Sequence, residues 1–228
     1  MSISKLKIVS FAIAVSFLSS SAYAKDAGDT AKRAQAAANV VSEIMATPDK
    51  GIPADLLSKS ECVVVVPGLK KAAFVIGGKF GRGFMSCRVA KGWSAPAGVK
   101  VEGGSVGFQI GGSETDVVLL VMNKEAIDKL LSDKFTIGGD ASAAAGPVGR
   151  TTSAMTDAQL HAQILTYSRA RGLFAGVSLE GATLRPDDDA NKDLYGKPMS
   201  NKDIVRGTVT TPASGSNLVA QLDKYAKR

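Results

Sequence analysis

The sequence predicts an α+β domain in which a strongly curved, glycine-rich antiparallel sheet or partial barrel is flanked by N- and C-terminal helices. Apolar residues recur with a helical period near both ends of the chain and form alternating or continuous apolar runs between those ends. The chain also contains 24 glycines, many of them inside the strand patterns. Glycine weakens a strand unless the backbone must curve or approach another group closely, so this usage indicates a bent sheet.

Two helices are predicted at the start of the domain. Residues 30–46 are alanine-rich and place Val40, Val41 and Ile44 on one face, which is the pattern of an amphipathic helix. Residues 53–59 begin with a proline, which is favoured in the first turn of a helix, and predict a second, short helix.

Strands separated by glycine-containing turns are predicted next. The β-branched run 63–66 is stopped by Pro67-Gly68, and strands at 73–79 and 84–89 flank a basic, glycine-rich hairpin at 77–83.

The clearest strand is predicted at residues 105–112, where apolar residues alternate with glycine or polar residues. A turn at Ser113-Glu114 then leads to an apolar strand at 116–122. Asn123 is the expected N-cap of a helix that continues to about Ser132.

Residues 156–177 support two interpretations. Thr156 and Gln159 have the spacing of a capping box, which favours a helix over 160–170. Residues 166–169, followed by Gly172 and by the alternating Ala175, Val177 and Leu179, favour a hairpin that turns at Arg171-Gly172, and we prefer the hairpin.

The C-terminal part is predicted to be more polar. Residues 186–191 form an acidic loop whose clustered carboxylates offer a cation site as the alternative to a solvated loop. Short helical turns are expected over 194–206, and a terminal helix over 216–228.

The first residues of the chain predict export. Lys5 and Lys7 precede a short apolar stretch at 8–18, and Ala22-Tyr23-Ala24 supplies a small-residue cleavage site. We expect a periplasmic or secreted protein with four segments: a signal peptide (1–24), a helical lead-in (25–52), the main domain (53–206), and a C-terminal linker and helix (207–228).

Cys62 and Cys87 are the only cysteines. In an oxidising compartment an even count favours a disulfide, which we expect to join neighbouring strands with Cα atoms ~4.4–6.8 Å apart. The alternative is a pair of buried thiols that act as small apolar residues.

Composition argues against several classes of function. The formal net charge is +7, but the sequence does not contain the dense run of basic residues that is typical of a nucleic-acid-binding protein. His161 is the only histidine, no serine lies in a G-x-S-x-G elbow, and no C-x-x-C is present. We therefore expect a non-enzymatic protein without a metal or other cofactor.

One short segment combines cations with aromatic residues, which suits a phospholipid surface: cations contact the phosphates and aromatic rings lie at the interface. The alternative is a solvated face unrelated to any ligand. The predicted lipid-binding residues are Lys70, Lys71, Lys79, Phe80, Arg82, Phe84 and Arg88.

Six short blocks occur in order along the chain: KAAFVIGG (71–78), GWSAP (92–96), GGSVGFQIG (103–111), AGPVGR (145–150), YSR (167–169) and GLFAGV (172–177). These blocks closely resemble the SYLF domain, also called the Ysc84-like actin-binding or lipid-binding domain. The resemblance extends over about residues 53–204.

The resemblance implies phospholipid binding without catalysis, and in eukaryotic relatives it implies binding to phosphoinositides and to actin. It also implies that an amphipathic N-terminal segment, here residues 30–46, assists lipid contact. Because export argues against actin and nucleic acid, we expect an envelope module that binds anionic phospholipid through the basic hairpin. The alternative is an envelope scaffold or stress protein that binds another protein through the same sheet.

If residues 1–24 are a signal peptide, cleavage after Ala24 produces a mature chain that begins at Lys25. Intact-mass measurement of protein from the osmotic-shock fraction should therefore find no residues before Lys25. Exported protein that retains residues 1–24 would contradict this prediction.

Overall fold

Two long antiparallel strands, β1 (Cys62–Cys87) and β2 (Ala97–Val121), dominate the fold. The structure is a computed structural model that describes residues 28–46, 51–149, 155–170, 173–177 and 179–227, with the backbone alone at 72–76, 105–112, 157 and 173–174. The ladder between the strands runs from Cys62 opposite Val121 to Met85 opposite Ala97. The two strands therefore form one hairpin whose connection is residues 88–96.

This hairpin is folded back on itself. Fully extended, the 26 residues of β1 would span roughly 85 Å. Instead Cys62 and Cys87, at the two ends of the strand, are joined by a disulfide with their Cα atoms 4.0 Å apart. Next to them the Arg88 N–H donates to the Glu61 carbonyl at 2.7 Å. The first half of the hairpin therefore lies across the second half, and we call this contact between the two ends of β1 the crossing.

Two glycines allow the halves to approach. A Cβ placed on Gly83 would overlap the Val65 carbonyl oxygen, and one placed on Gly81 would lie 3.2 Å from the Cα of Leu69. A side chain at either position would push the two halves of β1 apart. Because these glycines have no side chain, the two halves of β1 can come into contact, and the Cys62–Cys87 disulfide joins the ends of the strand.

Folding the hairpin produces a core that combines residues from both halves. Val64 and Val66 from the first half belong to the same buried cluster as Met85, Val99 and Val101 from the second half. Each of these side chains is at most 2% exposed. Burial of a side chain of this size stabilises the fold by about 1.5–3 kcal/mol.

Five shorter strands complete a seven-stranded sheet in the order β3–β7–β2–β5–β4, with β1 paired to β2 and β6 paired to β5. The β4–β5 pair is parallel and the other pairs are antiparallel. β5 pairs with residues 116–121 of β2, and β7 pairs with residues 99–102. The short strands are β3 (Phe135–Thr136), β4 (Ala143–Ala145), β5 (Ile164–Ala170), β6 (Leu173–Gly176) and β7 (Thr183–Pro186).

Helices cover the outside of this sheet, and no described helix is long and apolar enough to cross a membrane. A second buried cluster, which we call the helix-side core, joins Ala37, Val41 and Ile44 of the first helix to Leu120 of β2 and Leu218 of the last helix. The helices are α1 (28–45), α2 (Ala54–Lys59), α3 (Lys124–Leu130), α4 (Asp157–His161), α5 (Asp188–Tyr195), α6 (Asn201–Arg206) and α7 (Ser216–Tyr225).

The predicted fold class is confirmed, since a strongly curled sheet lies between helices at both ends of the domain. The first, second and last helices lie close to their predicted positions. Asn123 caps α3, with its side chain accepting from the Ala126 N–H. At residues 156–177 the preferred hairpin is confirmed, since β5 pairs antiparallel with β6. The helix over 160–170 is wrong, because the capping box at Thr156 starts only the short α4 and the chain then enters β5. The predicted turn at Arg171-Gly172 lies outside the described residues.

Three predicted turns are wrong because the long ladder continues through them. Pro67-Gly68 is a bulge, where Gly68 has a φ of 60° and its N–H donates to the Asp116 carboxylate at 2.9 Å. Ser113-Glu114 lies inside β2 opposite Lys71 and Lys70, and the glycine-rich stretch 77–83 lies inside β1.

The predicted acidic loop is wrong as well. Asp187 is the N-cap of α5, and Asp188 and Asp189 lie in its first turn. Carboxylates at a helix N-terminus are stabilised by the free backbone N–H groups and the helix dipole. Among the described residues, no cluster of histidine, cysteine and carboxylate side chains could hold a metal ion.

The predicted pairing of the cysteines is present, but their placement differs from the expectation. They lie at the two ends of one strand rather than on neighbouring strands, and their Cα atoms are closer than we expected. Because the bond ties the crossing of β1, we expect the double variant Cys62→Ser/Cys87→Ser to lose about 2–4 kcal/mol of unfolding free energy.

Urea unfolding of the oxidised protein and of the variant measures this difference. Reduced wild-type protein is the control, since its stability should match that of the variant. Equal stability of the oxidised protein and the variant would show that the bond does not hold the crossing.

Candidate functional site

The bend of the folded hairpin is the part of the sheet with the fewest strand partners. We call residues 70–80 of β1 and 103–114 of β2 the ribbon. Within the described chain, β5 and β7 pair with β2 only on either side of this segment, and β1 pairs only with β2. The ribbon therefore leaves the crossing as two paired strands with both outer edges open.

Lys71 and Lys79 lie on the ribbon at the two sides of the bend. Burial and then the charge of Lys71 lower the pKa of the Lys79 ammonium. The stem of Lys79 runs over Gly103, where a Cβ would lie 3.2 Å from its Cε. Neither lysine is ion-paired with any carboxylate of the described residues. Two neighbouring ammonium groups without a counter-charge favour the approach of an anion.

Lys70 and Phe80 are also on the ribbon and are exposed. Lys70 lies opposite Glu114 in the ladder, so its charge faces a carboxylate. Phe80 is 49% exposed, although a large aromatic side chain is usually buried. Its opposite residue in the ladder, Glu102, is ion-paired with Arg185 at 3.8 Å.

Arg82, predicted to bind lipid, holds a buried carboxylate instead. Its Nε and Nη2 donate to the two oxygens of Asp187 at 2.5 and 2.6 Å, and the Asp187 side chain is 0% exposed. Burial alone would raise the pKa of the Asp187 carboxyl, but the hydrogen bonds and charge of Arg82, together with the charge of Lys100, outweigh it and hold the pKa below its ordinary value.

Asp187 belongs to a buried polar network that fixes α5 and α6 to β2. The Gly98 N–H donates to the Asn191 side chain at 2.7 Å, and the Asn201 side chain donates to the Gly98 carbonyl at 3.0 Å. The Asp187 N–H donates to the same carbonyl at 3.0 Å. Because Arg82 completes this network, its guanidinium serves the fold rather than a surface ligand.

Arg88 and Phe84 also make contacts inside the fold and do not present their side chains to a surface ligand. Arg88 donates to the carbonyls of Ser58 and Ser60 at 2.9 and 3.3 Å and stacks on Trp93 with 4.0 Å to the ring centroid. Phe84 is fully buried in the helix-side core. Of the predicted lipid-binding residues, Lys70, Lys71, Lys79 and Phe80 lie on the ribbon, and their role in binding lipid stays a prediction.

The first helix does not offer its apolar face to a lipid surface. In α1 the side chains of Ala37, Val41 and Ile44 are at most 2% exposed and belong to the helix-side core. The hydroxyl of Thr30 donates to Asp193 at 2.8 Å and ties the start of α1 to α5. The expectation that residues 30–46 contact lipid therefore does not hold for this apolar face.

Arg33 on α1 is a residue that the sequence analysis missed. Burial and then the charge of Arg82 lower the pKa of its guanidinium, and its Nη1 is enclosed without a hydrogen-bond acceptor in the described structure. Arg33 lines a cavity of about 810 Å³ together with Lys32 and Arg169. No sequence pattern marks this position, because its environment comes from strands far along the chain.

Comparison with known proteins identifies the family. The model of the Ysc84 family, described as "Las17-binding protein actin regulator", matches residues 102–225, more than half of the chain. The chain belongs to the Ysc84 family. This match includes the β2 side of the ribbon, the helix residues Asp187, Asn191 and Asn201 of the buried network, and the last helix, but not Arg82 or Gly98.

Named relatives of the Ysc84 family align with most of the chain. A Bos taurus protein named "SH3 domain-containing YSC84-like protein 1" is 32% identical over 79% of the chain and 53% of its own length. "SH3 domain-containing protein PJ696.02" of Schizosaccharomyces pombe is 38% identical over 75% of the chain and 41% of its own. "Protein YSC84" of Saccharomyces cerevisiae is 32% identical over 78% and 39%. The chain thus spans about half, or less, of these relatives' length. The printed description of the family names a binding protein and regulator and no enzyme activity.

The Arg82–Asp187 pair generates a prediction about stability and pH. Replacing Asp187 by Asn leaves Arg82 without its counter-charge, so we expect Asp187→Asn to lower the unfolding free energy at pH 7 by about 3–5 kcal/mol. The folded-state pKa of Asp187 is depressed, so the pair stabilises above the ordinary aspartate pKa of ~3.9. That stabilisation is lost as the pH falls through the folded-state pKa.

Urea unfolding between pH 7 and acid measures both effects. Asp189→Asn is the matched control, because the Asp189 side chain is 82% exposed and its loss should change stability by about 0.5 kcal/mol or less. A difference between wild type and Asp187→Asn that persists unchanged in acid would contradict the assignment.

Proposed function

We propose that this Ysc84-family chain is a non-enzymatic module that binds anionic phospholipid surfaces through the ribbon. The observation that carries the proposal is the pair Lys71 and Lys79, two neighbouring lysines without an ion-paired carboxylate in the described structure, beside the exposed ring of Phe80. Each cation near an anionic membrane surface contributes about 1 kcal/mol of binding. The proposed location is the periplasm or the exterior of the cell.

The arrangement suits a surface rather than an enclosed ligand. The ribbon presents two lysines and a ring on open strands, so a planar array of phosphates reaches several of these groups at once. The exposed ring of Phe80 is wholly apolar and offers a hydrophobic surface that can lie against lipid beside the lysines. Weak contacts of this kind add up to reversible adsorption.

A second candidate function is protein binding at the open strand edge. Residues 103–115 of β2 pair with β1 on one side and with no described strand on the other. Such an edge accepts an extended segment of another protein through backbone hydrogen bonds. A protein partner would require this edge but not the lysine charges.

Vesicle sedimentation tests the lipid proposal. The mature protein should bind vesicles of mixed phosphatidylglycerol and phosphatidylcholine more tightly than pure phosphatidylcholine, and binding should weaken with salt, because exposed charges are screened over ~10 Å at 0.1 M ionic strength. The double variant Lys71→Gln/Lys79→Gln should lose about tenfold or more in affinity, at about 1 kcal/mol per cation.

The double variant Lys197→Gln/Lys202→Gln is the matched control. It removes the same charge from two exposed lysines near α6, away from the ribbon, and should bind anionic vesicles nearly as wild type does. Equal losses in both variants would mean that net charge, not the ribbon, governs binding. Equal binding of wild type to neutral and anionic vesicles would reject the proposal and favour the protein-binding function.

A further inference from the structure

The middle of the ribbon is a charge-free segment on both strands. Residues 72–78 of β1 and residues 103–113 of β2 contain no charged side chain. In the ladder Ile76 is opposite Val106, Val75 is opposite Gly107 and Ala73 is opposite Gly111, with a register shift between Ala73 and Val75. Phe74 and Phe108 fall in the same two stretches. An uncharged, apolar stretch of this kind is unusual on strands whose outer edges are both open.

Charged residues border this segment on each side. Lys70 and Lys71 precede it and Lys79 follows it on β1, while Glu102 and Glu114 border it on β2. Glu102 is ion-paired with Arg185, so the lysines exceed the carboxylates that remain. The order along β1 is therefore cation, apolar middle, cation, while on β2 a carboxylate borders the segment on each side.

Along β1, the apolar middle lies between the two residues that meet at the crossing. The crossing of β1 brings Leu69 next to Gly81, so the ribbon leaves the crossing and returns to it within these residues. About six residues in each direction allow a reach of at most ~20 Å. The middle of the ribbon is the point of β1 farthest along the chain from both sides of the crossing.

We propose that the middle of the ribbon inserts shallowly into the lipid bilayer while Lys71 and Lys79 remain at the phosphates. This inference rests on the proposed function and adds an apolar contribution to it. Lysines at the border of an apolar segment keep their ammonium groups at the headgroups while their stems lie along the lipid.

The open edges of the ribbon determine the depth of insertion. Unpaired backbone N–H and C=O groups are too costly to place in the hydrocarbon core. At the boundary of headgroups and acyl chains, about 5–10 Å deep, water and lipid oxygens can satisfy them. Insertion at this boundary is therefore consistent with two strands that have no further partners.

Charge favours a membrane over a second copy of this chain as the occupant. Two ribbons brought together would place the same excess of lysine charge side by side, which opposes association. An anionic lipid surface supplies the opposite charge to these lysines and an apolar layer to the middle of the ribbon.

Fluorescence of a label in the ribbon tests insertion directly. Phe108→Cys carries an environment-sensitive nitrobenzoxadiazole label, and Lys197→Cys carries the same label as the control; the Cys62–Cys87 bond leaves no other thiol to react. In phosphatidylglycerol vesicles the label at 108 should shift to the blue. Lipids with a spin label near the glycerol should quench it more than lipids labelled near the chain end, and the control should show neither effect.

Sedimentation of the same samples separates the two proposals. Protein that binds the vesicles while the label at 108 remains in water would overturn insertion and leave the proposed function standing. Protein that does not bind the vesicles would overturn both. Stronger quenching by lipids labelled near the chain end than by lipids labelled near the glycerol would overturn the shallow placement.

The triple variant Val106→Ser/Phe108→Ser/Ile110→Ser supplies a second measurement. Its affinity for phosphatidylglycerol vesicles should fall about tenfold or more, and the loss should persist at high salt because apolar burial is not screened. The variant Lys71→Gln/Lys79→Gln should instead differ from wild type mainly at low salt. A triple variant that binds as wild type does at every salt concentration, with an unchanged melting temperature, would overturn insertion.

Discussion

The close approach of the two ends of β1 is the constraint on which the rest of the structure depends. Gly81 and Gly83 leave room for the backbone of the first half of the strand, and the Cys62–Cys87 bond joins the ends. Without this crossing the hairpin would be an extended pair of strands with little to bury, and an isolated two-stranded hairpin is marginally stable at best. Folding it over creates the core between its halves and also the bend that becomes the ribbon.

The crossing also divides the basic residues of one short segment into two groups. Arg82 lies where the second half of the hairpin meets α5, and there it neutralises the buried Asp187. A buried carboxylate requires a close counter-charge, so the guanidinium of Arg82 is used in this ion pair. Lys71 and Lys79 lie at the bend, where no described carboxylate is ion-paired with them. Position in the fold, not residue type, decides which cations remain for a ligand.

The same fold assigns different roles to the two apolar segments that a membrane-binding hypothesis would consider. The apolar face of α1 covers the sheet and is buried, so exposing it would remove a large part of the core. In the middle of the ribbon no described strand pairs with the outer edge of either strand. Contact with lipid at these edges would therefore not require the core to open. Membership in the Ysc84 family, whose description names a binding protein, agrees with a binding module.

The sequence by itself determined the features that depend on neighbouring residues: the caps at Asn123 and Thr156 and the pairing of β5 with the next strand, β6. It also identified the candidate cations, though not their partners. Only the tertiary structure decided that Pro67-Gly68 and Ser113-Glu114 lie inside continuous strands, because pairing along the whole hairpin outweighs the local preference of these residues for a turn. Contacts between residues far apart in the chain, such as Arg82 with Asp187, leave no local pattern, since their energy depends on burial that exists only after folding.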